Sequence, residues 1–149
     1  MINGNEISDY RDEDLRNEVL FIESKPFILR ENLNYNITLL EKKKVNESYL
    51  KKIIQFLELE RIEKYSTKNL KDILSKGEQQ KIHLARMMIG RHSLILLDEV
   101  LSGLDQEMKK KAISKIKERS KNSIIIIISH DPEIIKKCGK TLFILKKLG

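Results

Sequence analysis

The sequence predicts an α/β fold in which a parallel sheet lies under helices, with a helical section ahead of its last strands. Three observations carry that expectation. Leu94-Ile95-Leu96-Leu97 and Ile124 to Ile128 are unbroken apolar runs, the second wholly β-branched. A helix-like stretch from about Gln106 to Ser120 separates them. Strands apolar on both faces and joined through a helix belong to parallel sheets buried under helices.

Each element follows from its residues. Asn3 to Ser8 reads as a turn and then a short strand, and Asp12-Glu13-Asp14-Leu15-Arg16 as a short helix with acids at the positive end of its dipole. Val19 to Ile22 is an apolar run bounded by charge, the mark of a buried strand. Between Asn46 and Leu59, residues Leu50, Ile53, Ile54 and Leu57 recur at helical spacing and form one apolar stripe. Helices then continue to Ile89. After the Gln106–Ser120 helix and the isoleucine strand, a helix from Pro132 to about Cys138 and a last strand, Thr141 to Leu145, complete a β-α-β-α-β second half.

Composition excludes several classes. The chain has 149 residues, 40% apolar and 34% charged, which is domain-sized and able to build a core. No apolar run approaches the ~20 residues of a membrane helix, and the polar start lacks a secretory apolar segment. A single cysteine, Cys138, excludes an internal disulfide and a multi-cysteine metal site, in keeping with a reducing cytoplasm. There are 29 basic and 22 acidic side chains, a net charge of +7. The lysines of Lys109-Lys110-Lys111 and Lys115-Ile116-Lys117 have glutamates among them, and Tyr and Phe are sparse with Trp absent, so the stacking platforms of single-strand binders are missing. The positive charge reads as a solvated face, and no nucleic acid is expected as a partner.

Three stretches carry candidate chemistry. Asp98 and Glu99 follow a buried strand, at the edge where open parallel sheets bind ligands; an acid there can hold Mg²⁺ and a second can orient or deprotonate water. The plainer reading is a core strand meeting a charged turn. His130, in Ser129-His130-Asp131, leaves the neighbouring strand at the same edge and can donate to a phosphate oxygen, or serve only structure. In Leu74-Ser75-Lys76-Gly77-Glu78, a serine at a helix start and a glycine two residues on suit an anion. Ser75 with Glu78 three residues later is equally the pattern of an ordinary capping box.

Taken together and in this order, the motifs resemble the nucleotide-binding subunit of ATP-binding-cassette (ABC) transporters. Leu74 to Glu78 is similar to the L-S-G-G-Q signature, Leu94 to Glu99 to the Walker B strand, Ser102-Gly103-Leu104-Asp105 to the D-loop, and Ser129-His130-Asp131 to the switch-histidine loop. Upstream, Ile2 to Ile7, Asp14-Leu15-Arg16 and Phe21 to Ile28 resemble the stretch ending in the Q-loop, and Arg30-Glu31-Asn32-Leu33 with Asn36-Ile37 resembles the exporter subgroup. The resemblance covers essentially the whole sequence.

It implies part of a P-loop NTPase (RecA-like) core with a parallel sheet, plus the ABC helical subdomain. Residues 1–29 would end the N-terminal core lobe and Q-loop region, 30–90 would form the helical subdomain, and 91–149 the C-terminal half of the core. It further implies ATP and Mg²⁺ as ligands, with Asp98 in the metal shell, Glu99 as general base and His130 at the γ-phosphate. Ser75, Gly77 and Glu78 would meet ATP held by a second nucleotide-binding domain in a head-to-tail dimer, Asp105 would cross that interface, and Ser24 would stand in the Q-loop. The partners implied are transmembrane domains, with the chain cytoplasmic and peripheral on the inner face of the cell membrane. The function implied is ATP hydrolysis coupled to transport, in the direction of export.

Departures from the family pattern are specific. No G-x-x-x-x-G-K-[ST] phosphate cradle is present among Gly4, Gly77, Gly90, Gly103, Gly139 and Gly149, and Gly139-Lys140-Thr141 lacks the earlier glycine and precedes a strand. The chain therefore reads as the C-terminal portion of such an ATPase without its Walker A loop. It is expected to be inactive in isolation and to expose apolar surface left uncovered. Ser24 takes the place of the Q-loop glutamine, Lys76 that of a signature glycine, Glu78 that of a glutamine, and Gly103 that of an alanine. Two alternatives accompany this reading. One is a non-catalytic truncated protein that supplies its signature face to a complete partner. The other is a chromosome-maintenance or DNA-repair ATPase, whose long heptad arrays are not seen in this sequence.

Overall fold

The structure is a computed structural model that describes residues 6–25, 27–39, 41, 44–65 and 70–137. It opens on a 3-10 turn, Ile7–Asp9, followed by helix α1 (Asp12–Glu18) and strand β1 (Val19–Ile22). The short strand expected up to Ser8 is thus a 3-10 turn, in which Tyr10 N donates to Ile7 O at 3.2 Å. The turn expected at Asn3 to Asn5, Cys138 and the last strand from Thr141 lie outside the described residues.

Helices fill the connection from β1 to the next strand. They are α2 (Leu33–Thr38), α3 (Glu47–Phe56), α4 (Glu60–Glu63), α5 (Leu70–Ile73) and α6 (Lys76–Ile89). Caps set their starts: Asn32 Oδ1 accepts from Tyr35 N, and Asn46 Oδ1 accepts from Ser48 N and Tyr49 N, which satisfies donors that a helix start leaves open. The apolar stripe foreseen in α3 faces inward, with Leu50, Ile53 and Ile54 buried. Strand β2 (Leu94–Asp98), helix α7 (Gln106–Arg119), strand β3 (Ile124–Ile128) and helix α8 (Pro132–Lys137) follow as the apolar runs predict.

The three strands form one parallel sheet in the order β1-β2-β3. Register places Leu20, Ile95 and Ile125 in one row and Ile22, Leu97 and Ile127 in another. These two rows face a single buried cluster that also takes in Ile82, Leu84, Ala85 and Met87 of α6 and Met108, Ala112 and Ile116 of α7. The opposite face differs from the expectation of burial on both sides. Phe21 is 54% exposed, Ile124 68%, Ile126 48% and Ile128 54%. Among the described residues helices cover one face of the sheet, and an apolar row is left open on the other.

Candidate functional site

The C-terminal ends of the three parallel strands deliver Ser24, Asp98 with Glu99, and His130 to one edge of the sheet. Ser24 lies exposed in the bend that follows β1. Asp98, the last residue of β2, is in register with Ile128, the last of β3, so the acids and the Ser129-His130 turn leave adjacent strands at the same level. Glu99 N donates to Ile128 O at 3.0 Å, which carries the pairing one residue past β2. Its side chain then turns to the next loop, where Oε1 accepts the backbone N–H of His130 at 2.8 Å. The His130 imidazole is 3.9 Å from the same oxygen and almost wholly solvent-exposed. Glu99 makes this reach from a left-handed backbone, φ 49°, a region that non-glycine residues rarely occupy.

The loop after β3 is anchored from below. Lys109 Nζ on α7 donates to Asp131 Oδ2 at 2.8 Å in a partly shielded pair. The Lys109 ammonium, with the Glu133 N–H, holds the Asp131 carboxyl below the ordinary range. His130 therefore sits between two fixed positions, Ile128 in the sheet and Asp131, which Lys109 of α7 holds.

A second group forms at the start of α6. Ser75 Oγ accepts from Glu78 N at 3.2 Å, and Glu78 Oε2 accepts from Ser75 N at 2.8 Å, a complete capping box. Arg61 Nη2 donates to the other Glu78 oxygen at 2.6 Å. Burial alone raises the Glu78 carboxyl, but the Ser75 N–H and hydroxyl and the Arg61 guanidinium together hold it below its usual value. The capping pattern is thus formed, and it leaves Gly77 at the rim of the helix start. A Cβ on Gly77 would stand 3.0 Å from Gly103 O, so the start of α6 and the 102–105 turn touch. Asp105 ends that turn as the N-cap of α7, where its Oδ1 accepts from Met108 N at 2.8 Å; this bond is the main reason its carboxyl lies below the usual range.

The foreseen residues thus fall into two groups, Ser24, Asp98, Glu99 and His130 at the strand ends and Ser75, Gly77, Glu78 and Asp105 at the start of α6. The turn from Glu99 to Asp105 joins them; within it Ser102 N donates to Glu99 O at 3.1 Å.

Sequence reasoning missed the polar residues buried along α6: Gln80, His83 and Arg86, spaced by three on a helix whose residues from Ile82 to Met87 are all buried. His83 Nε2 accepts from Phe27 N at 3.1 Å, and its ring also bonds the Glu23 backbone. Arg86 Nε donates to Asn36 O and Nη2 to Phe27 O, both at 2.8 Å. Asn36, fully buried, fastens Leu29, Glu31 and Asn32 through its own amide. Burial, with Arg86 nearby, pushes the His83 imidazole down to about 4, and burial pushes Arg86 down to about 10. The segment carrying the β1 loop is therefore clamped to the helix that carries Ser75. No sequence signal marks them, since α6 carries polar residues at Lys76, Glu78, Gln79 and Lys81 as well.

Among the described residues no group of three His, Cys, Asp or Glu side chains gathers to hold a metal unaided. None of their helices is long and apolar enough to cross a membrane.

Comparison with known proteins assigns the fold and the family. Residues 1–102 match the family described as ABC transporter. The glutathione/L-cysteine transport system ATP-binding/permease protein CydC of Haemophilus influenzae is 26% identical over 141 residues, covering 90% of this chain and 24% of that protein. The spermidine/putrescine import ATP-binding protein PotA of Legionella pneumophila is 37% identical over 94 residues, 62% of this chain and 26% of that protein. Among solved structures, a bacterial Atm1-family ABC exporter with ATP bound superposes on 91% of this chain and 25% of its own, with a TM-score of 0.77 at 19% identity, a likeness of fold. The chain spans about a quarter of the length of these relatives. A family match over residues 1–102, more than half of the chain, shows that it belongs to the ABC transporter family.

Proposed function

We propose that this chain is the signature-bearing and water-activating part of an ABC transporter ATPase, and that the subunit containing it couples ATP hydrolysis to export through transmembrane partners. The observation that carries the proposal is the convergence of Asp98, Glu99 and His130 at one edge of a parallel sheet, with Glu99 held by the His130 backbone. Residues 1–29 would close the core lobe and Q-loop region, 30–90 form the helical subdomain, and 91–149 the second half of the core.

In this reading Glu99 orients a water against the terminal phosphate and takes its proton as the new P–O bond forms and the bond to the leaving diphosphate breaks. Its carboxylate is suited to that task because a main-chain donor fixes one oxygen and leaves the other open. His130, exposed and anchored through Asp131, donates to a phosphate oxygen. Asp98 would hold the Mg²⁺ that accompanies ATP: among the described residues no cluster of metal-ligating side chains surrounds it, and one carboxylate would suit an ion that keeps several waters and binds phosphate. When bound, that ion neutralises phosphate charge. Ser75, Gly77 and Glu78 present a helix start to ATP held by a second nucleotide-binding domain, and Asp105 stands beside them at that interface. Ser24, at the end of β1, faces the same edge.

Export, rather than import, is supported by the Arg30 to Ile37 pattern and by the reach of the matches. The likeness to a protein that joins ATP-binding and permease functions extends over 90% of the chain, whereas that to an import ATP-binding protein covers 62%. The subunit then lies at the inner face of the cell membrane, held there by its transmembrane partners.

The test is phosphate release by the complete transporter containing this chain. Release that requires Mg²⁺ and falls at least about a hundredfold in Asp98→Asn is expected. Release indifferent to chelation of divalent ions, or to that substitution, overturns the assignment.

A further inference from the structure

We propose that Gln80 is a positioning residue that locks the Ser102–Asp105 turn to the start of α6, so that the two segments assigned above to a partner-held nucleotide move as one surface. The inference rests on that reading for its function and on the geometry of Gln80 for its mechanism. Gln80 lies five residues beyond Ser75 and is 1% exposed. Its Oε1 accepts the Gly103 N–H at 2.6 Å, and its Nε2 donates to Ser102 Oγ at 3.2 Å. One amide thus engages two successive residues of the turn, using its acceptor and its donor together.

The packing around this amide is close. A Cβ on Gly103 would lie 2.5 Å from Gln80 Oε1, and a Cβ on Gly77 would lie 3.0 Å from Gly103 O. A methyl group on Gly103 would displace the Gln80 amide, and one on Gly77 would press on the Gly103 carbonyl. Beyond Gly103, Leu104 is buried and Asp105 caps α7 through Met108 N. The turn is held at one end by Gln80 and at the other by α7, with no free residue between. A displacement of Ser75 and Gly77 by a ligand is transmitted to Asp105 through the 77–103 contact and the Gln80 amide. This is a tie between two groups that sequence spacing places more than twenty residues apart.

The experiment compares Gln80→Leu, Gln80→Glu and Ser102→Ala with the parent in the complete transporter. It reads backbone hydrogen exchange in peptides covering 101–105 alongside ATP turnover. Loss of the buried acceptor in Gln80→Leu is expected to speed Gly103 exchange about tenfold or more. The Gly90 amide, which bonds Arg86 O at the far end of α6, keeps its protection. Turnover falls by about tenfold to a hundredfold with KM changed less than about threefold, because the defect is in placement rather than in nucleotide affinity. Gln80→Glu keeps the acceptor for Gly103 and restores most of both quantities. Ser102→Ala, at an exposed residue, gives a smaller rise in exchange and reports on the tie even if Gln80→Leu does not fold. Unchanged exchange at 101–105 in Gln80→Leu or, should that variant not fold, in Ser102→Ala overturns the proposal. So does exchange that rises there without any change in turnover. A parent transporter that does not hydrolyse ATP overturns the functional reading instead, and exchange alone then decides whether the tie exists.

Discussion

The backbone N–H of His130 donates to Oε1 of Glu99 at 2.8 Å, so the exit of β3 fixes the carboxylate that leaves β2. Two residues of different strands are thereby set by one bond, and its donor is main chain, independent of the state of the imidazole. Glu99→Gln preserves an acceptor in that position while removing the proposed base. We expect phosphate release to fall at least about a hundredfold, with nucleotide-driven pairing of subunits retained on size-exclusion chromatography. Turnover equal to the parent would exclude Glu99 as the base.

Acid sensitivity should follow from His83. The folded state keeps its imidazole neutral, with the pKa lowered from 6.5 to about 4 by burial and by the neighbouring Arg86. The unfolded chain takes up a proton below pH 6.5 that the folded chain refuses, so this contribution is complete above 6.5 and is lost as pH falls toward 4. The loss amounts to about 3 kcal/mol over that window. Urea unfolding on either side of pH 6.5 measures it. His83→Gln, which can still accept from Phe27 N, should show a flatter dependence; an equally steep one would place the acid sensitivity elsewhere.

Arg86 offers a test of the clamp. Replacement by Met keeps much of the volume but leaves Asn36 O and Phe27 O without their donor. Unsatisfied carbonyls in a buried site should cost about 2–4 kcal/mol, read as a lower urea midpoint with an unchanged slope. The same variant should loosen exchange in 27–37 before it affects α7, since Arg86 bonds to the first of these and not to the second. A uniform rise across both would show that the clamp is not local.

The open apolar row on the sheet is expected to bind hydrophobic dyes and to promote association of the 149-residue polypeptide. Ile126→Glu, at a residue 48% exposed, should reduce dye fluorescence and light scattering while changing stability by no more than about 0.5 kcal/mol. Scattering as strong as in the parent would assign the association to another surface.

Much of the fold was legible because it rests on runs that allow one reading. Val19–Ile22, Leu94–Asp98 and Ile124–Ile128 are short apolar strands, and the Gln106–Arg119 helix between two of them requires a parallel crossover. Ile7–Asp9 was not legible, since three residues with no strand beside them curl into a local turn whatever their propensity. Nor was the open face of β3, because five isoleucines satisfy strand preference on both sides and carry no sign of which side is covered. At the site, Asp98, Glu99 and His130 were readable as charged groups at strand ends, and Ser75 with Glu78 as a capping pair. Gln80, His83 and Arg86 were not, because they bond chiefly to backbone atoms of residues 23–36 and 102–103. Main-chain donors and acceptors are the same under every side chain and leave no trace in sequence.

The backbone of Glu99 carries one more consequence. Its φ of 49° lies where glycine is at ease and a β-carbon is crowded. Folding by itself would accept a bare hydrogen at this position with little complaint. What a glycine would forfeit is the acceptor for the His130 N–H and, on the role proposed for Glu99, the base, so a relative that had lost the reaction would give up one loop bond and relieve the backbone here.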